Sequence, residues 1–177
     1  MGLPFIAVRG LLGSDILTYR PDFLVRDNPF IPGEPIVLVR PIRPDVAVFH
    51  ALQADRSGNA VTPGKLDDLM LARAARLAVV TTEEVVDRAL TVVDAGHNTF
   101  LPAIDVDMVA HAPFGAYPCG CGPLYTRDDT HCQRYVEAAK DEAGFKAYLE
   151  CYVYSVPSHL AYVDLVGIDA SRSGTRV

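Results

Sequence analysis

Apolar residues occur along the chain in short continuous runs separated by turn-forming segments. A run of five to eight apolar residues with few polar interruptions is typical of a strand that is covered on both faces, as in a parallel sheet. Five such runs predict strands at Leu3–Val8, Pro35–Val39, Val46–Ala51, Leu77–Thr81 and Ile104–His111.

Helical spacing appears between and after these strands. From Lys65 to Arg76 the apolar residues recur every three or four positions, which predicts an amphipathic helix packed on the core. Thr82–Val86 resembles a helix start, with a hydroxyl cap and an acidic first turn, so the helix dipole is sufficient explanation for the pair Glu83 and Glu84. Two further helices are predicted at Asp128–Ala143 and Phe145–Tyr154.

The alternation of strands and helices predicts an α/β fold, an open and mostly parallel sheet with flanking helices. The length of 177 residues predicts a single domain over 1–177, with a flexible tail over about 169–177. Pro21–Glu34 contains three prolines and is predicted to be a surface excursion without a regular element. Because no helix precedes a strand that begins at Leu3, the sheet is predicted to be incomplete at its N-terminal side.

Composition excludes several classes of function. The net charge of −6 and the absence of a dense cluster of lysine and arginine argue against a nucleic-acid partner. No apolar run approaches the roughly 20 residues that cross a bilayer, and the first residues lack the features of a signal peptide. The four cysteines all lie in the last third of the chain, which does not suit a secreted disulfide framework. The predicted location is the cytoplasm, without a membrane partner.

Two segments are candidates for ligand binding. The first follows the first predicted strand, where Gly10, Gly13, Ser14 and Asp15 could direct backbone N–H groups at an anion or a carbonyl oxygen. Its spacing matches neither the dinucleotide nor the P-loop fingerprint, and a tight turn after the strand is the favoured explanation of the glycines.

The second segment runs from His50 to Asn59 and leaves a strand at its carboxyl end, where open α/β sheets bind ligands. His50, Gln53 and Asp55 could converge there. The alternative is structural, because Asp55 and Asn59 suit a turn in which Gly58 or Asn59 takes a positive φ.

The cysteines raise the question of a zinc site. Cys119 and Cys121 are separated by a single residue, with His131 and Cys132 following, and this is not the spacing of a zinc finger or ribbon. The prediction is therefore no metal and free thiols. The chain also lacks the Gly-x-Ser-x-Gly nucleophile elbow.

Several of these segments, taken in order, resemble a known family. Leu3–Ile6 leading into Arg9–Asp15, Arg43–Ala47, the His50–Asn59 segment and Thr82–Val86 are similar to the alpha subunit of family I CoA-transferases of the glutaconate CoA-transferase type. The resemblance continues through His111–Ala116 to about Tyr162. It also includes Ala72–Ala74, Tyr125, Asp128 and Tyr135.

The resemblance implies an enzyme that moves CoA between an acyl-CoA thioester and a carboxylic acid, with CoA as substrate and no permanently bound cofactor. Such enzymes use a glutamate carboxylate as nucleophile, and in this type the glutamate belongs to a beta subunit. Family members also carry a segment ahead of the Leu-Pro-Phe strand. We therefore expect a beta-subunit partner and assign no catalytic residue to this chain. The expected substrate-binding residues are Arg9, Gly10, Gly13, Ser14, Asp15, His50, Gln53, Asp55, Gly58 and Asn59.

Two alternatives remain open at this point. Relatives with a similar alpha-subunit pattern hydrolyse a carbon–carbon bond in a ring of a steroid-derived CoA thioester, so the chain could belong to a ring-opening hydrolase. It could also be a non-catalytic truncated remnant. The sequence does not separate these readings or identify the acyl substrate.

Overall fold

The computed structural model describes residues 3–64 and 67–168. It divides the chain into two compact units, Met1–Pro44 and Asp45–Val177. Each unit has its own sheet and is described by itself. That the whole chain is a single domain stays a prediction. The tail predicted from Asp169 lies outside the described residues.

The first unit contains strands β1 (Ile6–Val8), β2 (Leu24–Asp27) and β3 (Pro35–Val39) and a one-turn helix, α1 (Ile16–Tyr19). The strands form an antiparallel sheet in the order β1-β3-β2. The bounds of β3 are those predicted from the sequence, but its expected parallel pairing is wrong. The strand predicted from Leu3 is reduced to β1.

The expectation that Pro21–Glu34 has no regular element is also wrong, because β2 lies within it. Its apolar residues Leu24 and Val25 pair with β3, and a hairpin loop joins the two strands. Asn28 closes this loop, since its backbone N–H donates to the Glu34 carbonyl at 2.9 Å. Pro29 and Pro32 fall inside the loop, where the sheet needs no N–H donor.

The second unit is built on a five-stranded sheet in the order β7-β5-β4-β6-β8. Strands β4, β6 and β8 are parallel to one another, whereas β5 pairs antiparallel with both β4 and β7. The α/β class is therefore confirmed, with a mixed sheet in place of the mostly parallel one expected. The strands are β4 (Val46–Asp55), β5 (Ala60–Thr62), β6 (Leu77–Val86), β7 (Thr99–Leu101) and β8 (Met108–His111).

Helix α2 (Asp68–Ala74) connects β5 to β6, and its Ala72 packs on a core that includes Phe49, Ala51 and Val80. This helix is shorter than the predicted Lys65–Arg76, whose Lys65 and Leu66 lie outside the described residues. The strand predicted over Ile104–His111 begins with a 3₁₀ turn, Ala103–Asp105, before β8. A one-turn helix, α3 (Val92–Ala95), precedes β7.

Helices α4 (Asp129–Ala138), α5 (Glu142–Leu149) and α6 (His159–Val166) follow a long loop, and a π turn, Glu150–Tyr154, continues α5. The boundary between the two helices predicted over 128–143 and 145–154 therefore lies at a different residue in the structure. The division falls at Asp141, whose carboxylate accepts the Gly144 N–H at 2.7 Å and so starts α5. Within the described part of the chain, no helix has the length and apolarity needed to span a membrane.

The helix start predicted at Thr82–Val86 is wrong, because these residues form the second half of β6. Backbone pairing with β4 decides the matter: Gln53 lies opposite Glu84, and Asp55 lies opposite Val86. The β-branched residues around the two glutamates suit a pleated strand. Glu83 and Glu84 are therefore strand residues, so the helix dipole does not explain them.

Candidate functional site

An ion pair lies in the carboxyl-terminal halves of two parallel strands of the second unit. His50 of β4 and Glu83 of β6 meet through Nε2 and Oε1 at 2.5 Å, with side chains 16% and 8% exposed. Parallel strands end at the same edge of a sheet, and ligands of α/β proteins bind at that edge. A buried pair of this kind is the first candidate for a functional centre in the unit.

Glu83 accepts two further hydrogen bonds from the segment that follows β8. The Tyr125 hydroxyl donates to Oε1 at 2.5 Å, and the backbone N–H of Phe114 donates to Oε2 at 2.7 Å. Burial acts to raise the pKa of Glu83, but the bonds from His50, Tyr125 and Phe114 outweigh it and hold that pKa below its ordinary value. Burial and Glu83 raise the pKa of Tyr125, so this hydroxyl keeps its proton and donates.

Two hydrogen bonds hold the imidazole ring of His50 in place. Its Nδ1 lies 2.8 Å from Oγ1 of Thr81, and that hydroxyl donates its single proton to the Phe49 carbonyl at 3.1 Å. The ionised Glu83 is the acceptor for Nε2, and Thr81 holds the other ring nitrogen. The imidazole is therefore fixed between a carboxylate and a hydroxyl group of the neighbouring strand β6.

The loop that covers the pair is packed tightly against His50. The backbone of Phe114 has a φ of 60°, a conformation that residues other than glycine rarely adopt. A methyl group at the next residue, Gly115, would lie 2.8 Å from both the Ala112 carbonyl oxygen and Cε1 of His50. The loop can approach the imidazole this closely because Gly115 has no side chain.

Gly115→Ala is accordingly expected to lower the free energy of unfolding by about 1–3 kcal/mol, the usual cost of overpacking. Urea unfolding followed by circular dichroism measures this change. Gly10→Ala is the matched control, because nothing lies within 4 Å of a methyl group built there. Equal stabilities of the two variants would contradict the packing described.

Cys121 completes the cluster and raises the question of a metal. Ligand atoms of His50, Glu83 and Cys121 lie within 4.8 Å of one another. Burial and the neighbouring Glu83 raise the pKa of the Cys121 thiol to about 11, so it is protonated at neutral pH. Because both oxygens of Glu83 already accept hydrogen bonds, the donor set suits a hydrogen-bonded cluster better than a metal. The absence of a metal stays a prediction.

The other members of the sequence motif considered for zinc are engaged elsewhere. Cys119 is exposed, whereas Cys121 is fully buried. His131 Nε2 lies 2.8 Å from the Tyr148 hydroxyl, and Sγ of Cys132 lies 4.0 Å from the Pro118 carbonyl oxygen. All four cysteines are free, as predicted.

Thiol labelling is expected to follow this order of burial. Cys119 and Cys151 are exposed and should react rapidly with an aromatic disulfide reagent at pH 8, whereas Cys121 should react only on unfolding. Reaction kinetics of single Cys→Ser variants assign each phase. Rapid labelling of Cys121 in the folded chain would show that the cluster is open to solvent.

A cavity of about 640 Å³ adjoins the cluster. Glu83 and Tyr125 form part of its lining, together with Phe114 from the loop. Two residues of β4, Leu52 and Gln53, line it from the sheet side. The cluster therefore supports one wall of a cavity large enough for a small ligand.

The structure places the predicted segment His50–Asn59 partly at this site. His50 belongs to the cluster, and Gln53 lines the cavity, with its Nε2 donating to Glu84 Oε2 at 2.7 Å. Asp55, Gly58 and Asn59 form the turn after β4, in which Gly58 has a φ of 102°. Asp55 accepts the backbone N–H groups of Ser57 and Asn59, as the turn alternative predicts.

The predicted loop over Arg9–Asp15 belongs to the first unit and makes local contacts there. Arg9 forms an ion pair with Glu34. Ser14 Oγ donates to the Leu11 carbonyl at 2.8 Å, and Gly13 has a φ of 77°. Gly10 is open to solvent on its side-chain side, and Asp15 stands before α1 without a capping bond. Substrate contact by any residue of the two segments stays a prediction.

Sequence reasoning missed Glu83 and Phe114 as parts of a site. It considered Cys121 only as a zinc ligand and named Tyr125 only within the family resemblance. One signal was available: Leu77–Val86 is a ten-residue run rich in β-branched residues, which favours a strand that continues through the glutamates. The contacts with the loop have no such signal, since Tyr125 lies 42 residues beyond Glu83.

Comparison with known proteins agrees with the fold and with the resemblance noted in the sequence. The model of the coenzyme A transferase family matches residues 1–112. The chain therefore belongs to the coenzyme A transferase family.

Its relatives include alpha-type subunits of several enzymes. The A subunit of glutaconate CoA-transferase from Acidaminococcus fermentans is 33% identical over 183 residues, which cover 94% of this chain and 57% of the relative. The A subunit of 3-oxoadipate CoA-transferase from Pseudomonas knackmussii is 36% identical over 154 residues, which cover 86% of this chain and 53% of the relative. A cholesterol ring-cleaving hydrolase IpdA subunit of Rhodococcus jostii is 31% identical over 160 residues, which cover 85% of this chain and 54% of the relative.

The crystal structure of the Acidaminococcus fermentans glutaconate CoA-transferase superimposes with a TM-score of 0.85 at 33% identity, covering 97% of this chain and 58% of that one. The family match over residues 1–112 includes both sheets, and this structural agreement extends beyond them to the helices that follow β8. The chain spans about half the length of each of these relatives.

Proposed function

We propose that this chain is an alpha-subunit portion of an enzyme that transfers CoA between an acyl-CoA thioester and a carboxylic acid. The observation that carries the proposal is the 33% identity to the glutaconate CoA-transferase relative over 94% of the chain. A second transferase relative, named for 3-oxoadipate, supports the same reaction class at 36% identity. The proposed location is the cytoplasm.

The partner in this proposal is a beta subunit, because each of the two transferase relatives is named as one lettered subunit of its enzyme. The nucleophilic glutamate is assigned to that partner. Glu83 does not suit the role, since a nucleophile needs a free carboxylate oxygen that can reach the thioester carbon. Both oxygens of Glu83 accept hydrogen bonds inside the cluster, and its side chain is 8% exposed.

The test is an exchange assay on the chain purified in complex with a CoA-transferase beta subunit. Mass spectrometry follows the transfer of CoA from an acyl-CoA donor to an isotopically labelled acid. The expected result is labelled acyl-CoA that forms only when both subunits and the acid are present. Absence of exchange across short, dicarboxylic and aromatic acyl groups would contradict the proposal and favour the remnant.

A CoA-thioester ring-opening hydrolase is the second candidate, supported by the 31% identity to the Rhodococcus jostii relative. The same assay separates the two reactions. A hydrolase consumes its thioester at a rate that does not depend on an acceptor acid and incorporates water oxygen into the product. A rate that rises with acceptor concentration excludes the hydrolase.

A further inference from the structure

Two of the free cysteines lie beside each other where the loop after β8 meets α4. Sγ of Cys132 lies 4.0 Å from the Pro118 carbonyl oxygen, and that oxygen belongs to the peptide group that joins Pro118 to Cys119. A carbonyl oxygen and the following Cα are about 3 Å apart, so Sγ of Cys132 lies within about 7 Å of the Cys119 Cα. Side-chain rotation and a small shift of the loop are then enough to bring the two sulfur atoms to bonding distance.

Backbone hydrogen bonds hold the two cysteines in this arrangement. The Asp128 N–H donates to the Pro118 carbonyl at 2.9 Å, and the Cys132 N–H donates to the Asp128 carbonyl at 3.0 Å. Cys132 therefore lies one helical turn beyond the residue that pairs with Pro118. The chain remains close further along the loop, because a methyl group at Gly120 would lie 3.0 Å from the Arg127 backbone nitrogen. The proximity of the two cysteines is built into the way the loop meets α4.

The two thiols differ in exposure, and one guanidinium interacts with both. Cys119 is exposed, whereas Cys132 is partly buried. The Arg127 side chain interacts electrostatically with both sulfur atoms, which is a second sign that they lie close together. An oxidant in solution therefore reaches Cys119 first, and Cys132 is placed to react with the modified Cys119.

The remaining cysteines are less suited to this chemistry. Cys121 is fully buried, and its sulfur lies within 4.8 Å of ligand atoms of His50 and Glu83. Burial and Glu83 raise the pKa of this thiol to about 11, so it keeps its proton and is not a nucleophile at neutral pH. Cys151 is exposed and lies on the π turn after α5, and it is the competitor that an experiment must distinguish.

We infer that Cys119 and Cys132 form a reversible disulfide in the presence of a small disulfide of the glutathione class. The Cys119 thiolate attacks one sulfur of oxidised glutathione, which gives a mixed disulfide and releases one glutathione thiolate. The Cys132 thiolate then attacks the Cys119 sulfur and releases the second glutathione thiolate. In total the two cysteines lose two protons and two electrons, and one glutathione disulfide is reduced to two thiols.

The disulfide ties the loop to the start of α4. The segment between the two cysteines contains Tyr125, whose hydroxyl donates to Glu83. The proposed location is the cytoplasm, where protein disulfides are usually transient and respond to the redox state. The inference goes beyond the proposed function and does not depend on it, because the thiol chemistry is tested on the chain alone.

Peptide mapping under non-reducing conditions tests the inference on the full chain after incubation with oxidised glutathione. Trypsin releases Cys132 in the peptide Asp128–Arg134. It releases Cys119 in the peptide Ala89–Arg127. The expected product is a monomer in which one disulfide joins these two peptides and dithiothreitol separates them. A monomer in which Cys132 is joined to the Cys151 peptide, or carries only glutathione, would overturn the inference.

Variants assign the partner of Cys132, because the longer peptide also contains Cys121. Cys119→Ser should abolish the cross-linked peptide. Cys151→Ser and Cys121→Ala are the controls and should leave its yield unchanged, with circular dichroism to verify that each variant is folded. A cross-link that persists in Cys119→Ser would assign the bond to another cysteine and overturn the inference.

Urea unfolding shows whether the bond fits the native loop. A disulfide between Cys119 and Cys132 restricts the unfolded chain. The oxidised chain should therefore reach half-unfolding at a higher urea concentration than the reduced chain, whereas the Cys119→Ser variant treated in the same way should show no such shift. A midpoint that is unchanged or lower in the oxidised wild type would mean that the bond is not accommodated by the folded loop, and the inference would be wrong.

Discussion

Glu83→Ala is expected to lower the free energy of unfolding by about 3–5 kcal/mol, the cost of removing one partner of a buried ion pair. The substitution leaves the buried His50 side chain without its carboxylate partner. It also leaves the Phe114 N–H and the Tyr125 hydroxyl without their acceptor. Each unsatisfied buried donor adds to the loss.

Urea unfolding followed by circular dichroism is the suitable measurement, because the chain has no tryptophan to report by fluorescence. Glu84→Ala is the matched control. Glu84 is the next residue of the same strand, but it is exposed and its hydrogen bond goes to Gln53. We expect its loss to change stability by about 0.5 kcal/mol or less. A Glu83→Ala variant within about 1 kcal/mol of the wild type would contradict the buried pair.

Glu83→Gln separates charge from shape. The amide keeps an oxygen at the Oε2 position for the Phe114 N–H, but its NH₂ group then takes the Oε1 position and faces both His50 and the Tyr125 hydroxyl without a carboxylate charge. The expected loss is about 1–3 kcal/mol, between the wild type and the alanine variant. A loss equal to that of alanine would mean that the charge of Glu83 carries the whole effect.

The sequence predicted those parts of the fold that local pattern determines. The run Pro35–Val39 gave β3 with its observed bounds, and the run from Val46 located β4. In both cases consecutive apolar residues close to a proline leave little alternative to a strand. Whether such a strand pairs parallel or antiparallel depends on distant segments, and for that reason the pairing of β3 was predicted wrongly.

The centre of the candidate site shows where local pattern fails. Thr82, Glu83 and Glu84 have the composition of a helix start, and an isolated peptide could use them as one. In the folded chain their backbone instead pairs with β4, and tertiary hydrogen bonds override local preference. A carboxylate predicted to lie in the first turn of a helix is consequently found buried against His50.

Cys121 and Tyr125 join the site through a loop whose course has no periodic signal. The sequence showed a Gly/Pro-rich segment after His111, and such segments are predicted only as loops. The contact of Gly115 with His50 depends on how that loop folds back over the sheet. Spacing along the chain does not encode such a contact. The sequence therefore raised Cys119 and His131 as possible metal ligands, and not His50.

Asp55 lies at the end of β4, and its substitution is expected to have the second largest effect. The residue is 3% exposed, and its carboxylate accepts four hydrogen bonds. Oδ1 accepts the backbone N–H groups of Ser57 and Asn59, and Oδ2 accepts the Leu90 N–H and the Asn59 side-chain amide, all at 2.8–3.0 Å. Asp55→Ala is expected to lower the free energy of unfolding by about 3 kcal/mol.

Asp55→Asn gives a sharper result because it preserves the shape of the side chain. Its NH₂ group must replace either Oδ1 or Oδ2, and each oxygen faces two donors. Donor then faces donor, so we expect a loss close to that of alanine, about 2–3 kcal/mol. Asp87→Asn is the control, since that side chain is 83% exposed and should change stability by about 0.5 kcal/mol or less. An Asp55→Asn variant as stable as the wild type would contradict the turn role and leave substrate binding as the reason for this aspartate.

The pH dependence of the same variant tests the charge of Asp55. Burial acts to raise the pKa of Asp55, but hydrogen bonds from Leu90, Asn59 and Ser57 outweigh it, and the pKa lies below the ordinary value of 3.8. The unfolded chain therefore binds a proton at this carboxylate before the folded chain does, and its stabilising contribution is complete above pH 3.8 and lost as pH falls through the folded pKa. The difference in unfolding free energy between wild type and Asp55→Asn should be constant from pH 5 to pH 7 and should shrink below pH 3.8. Other carboxylates titrate in both proteins and cancel in this difference, so a gap that does not shrink on acidification would show that the stabilisation does not depend on the charge of Asp55.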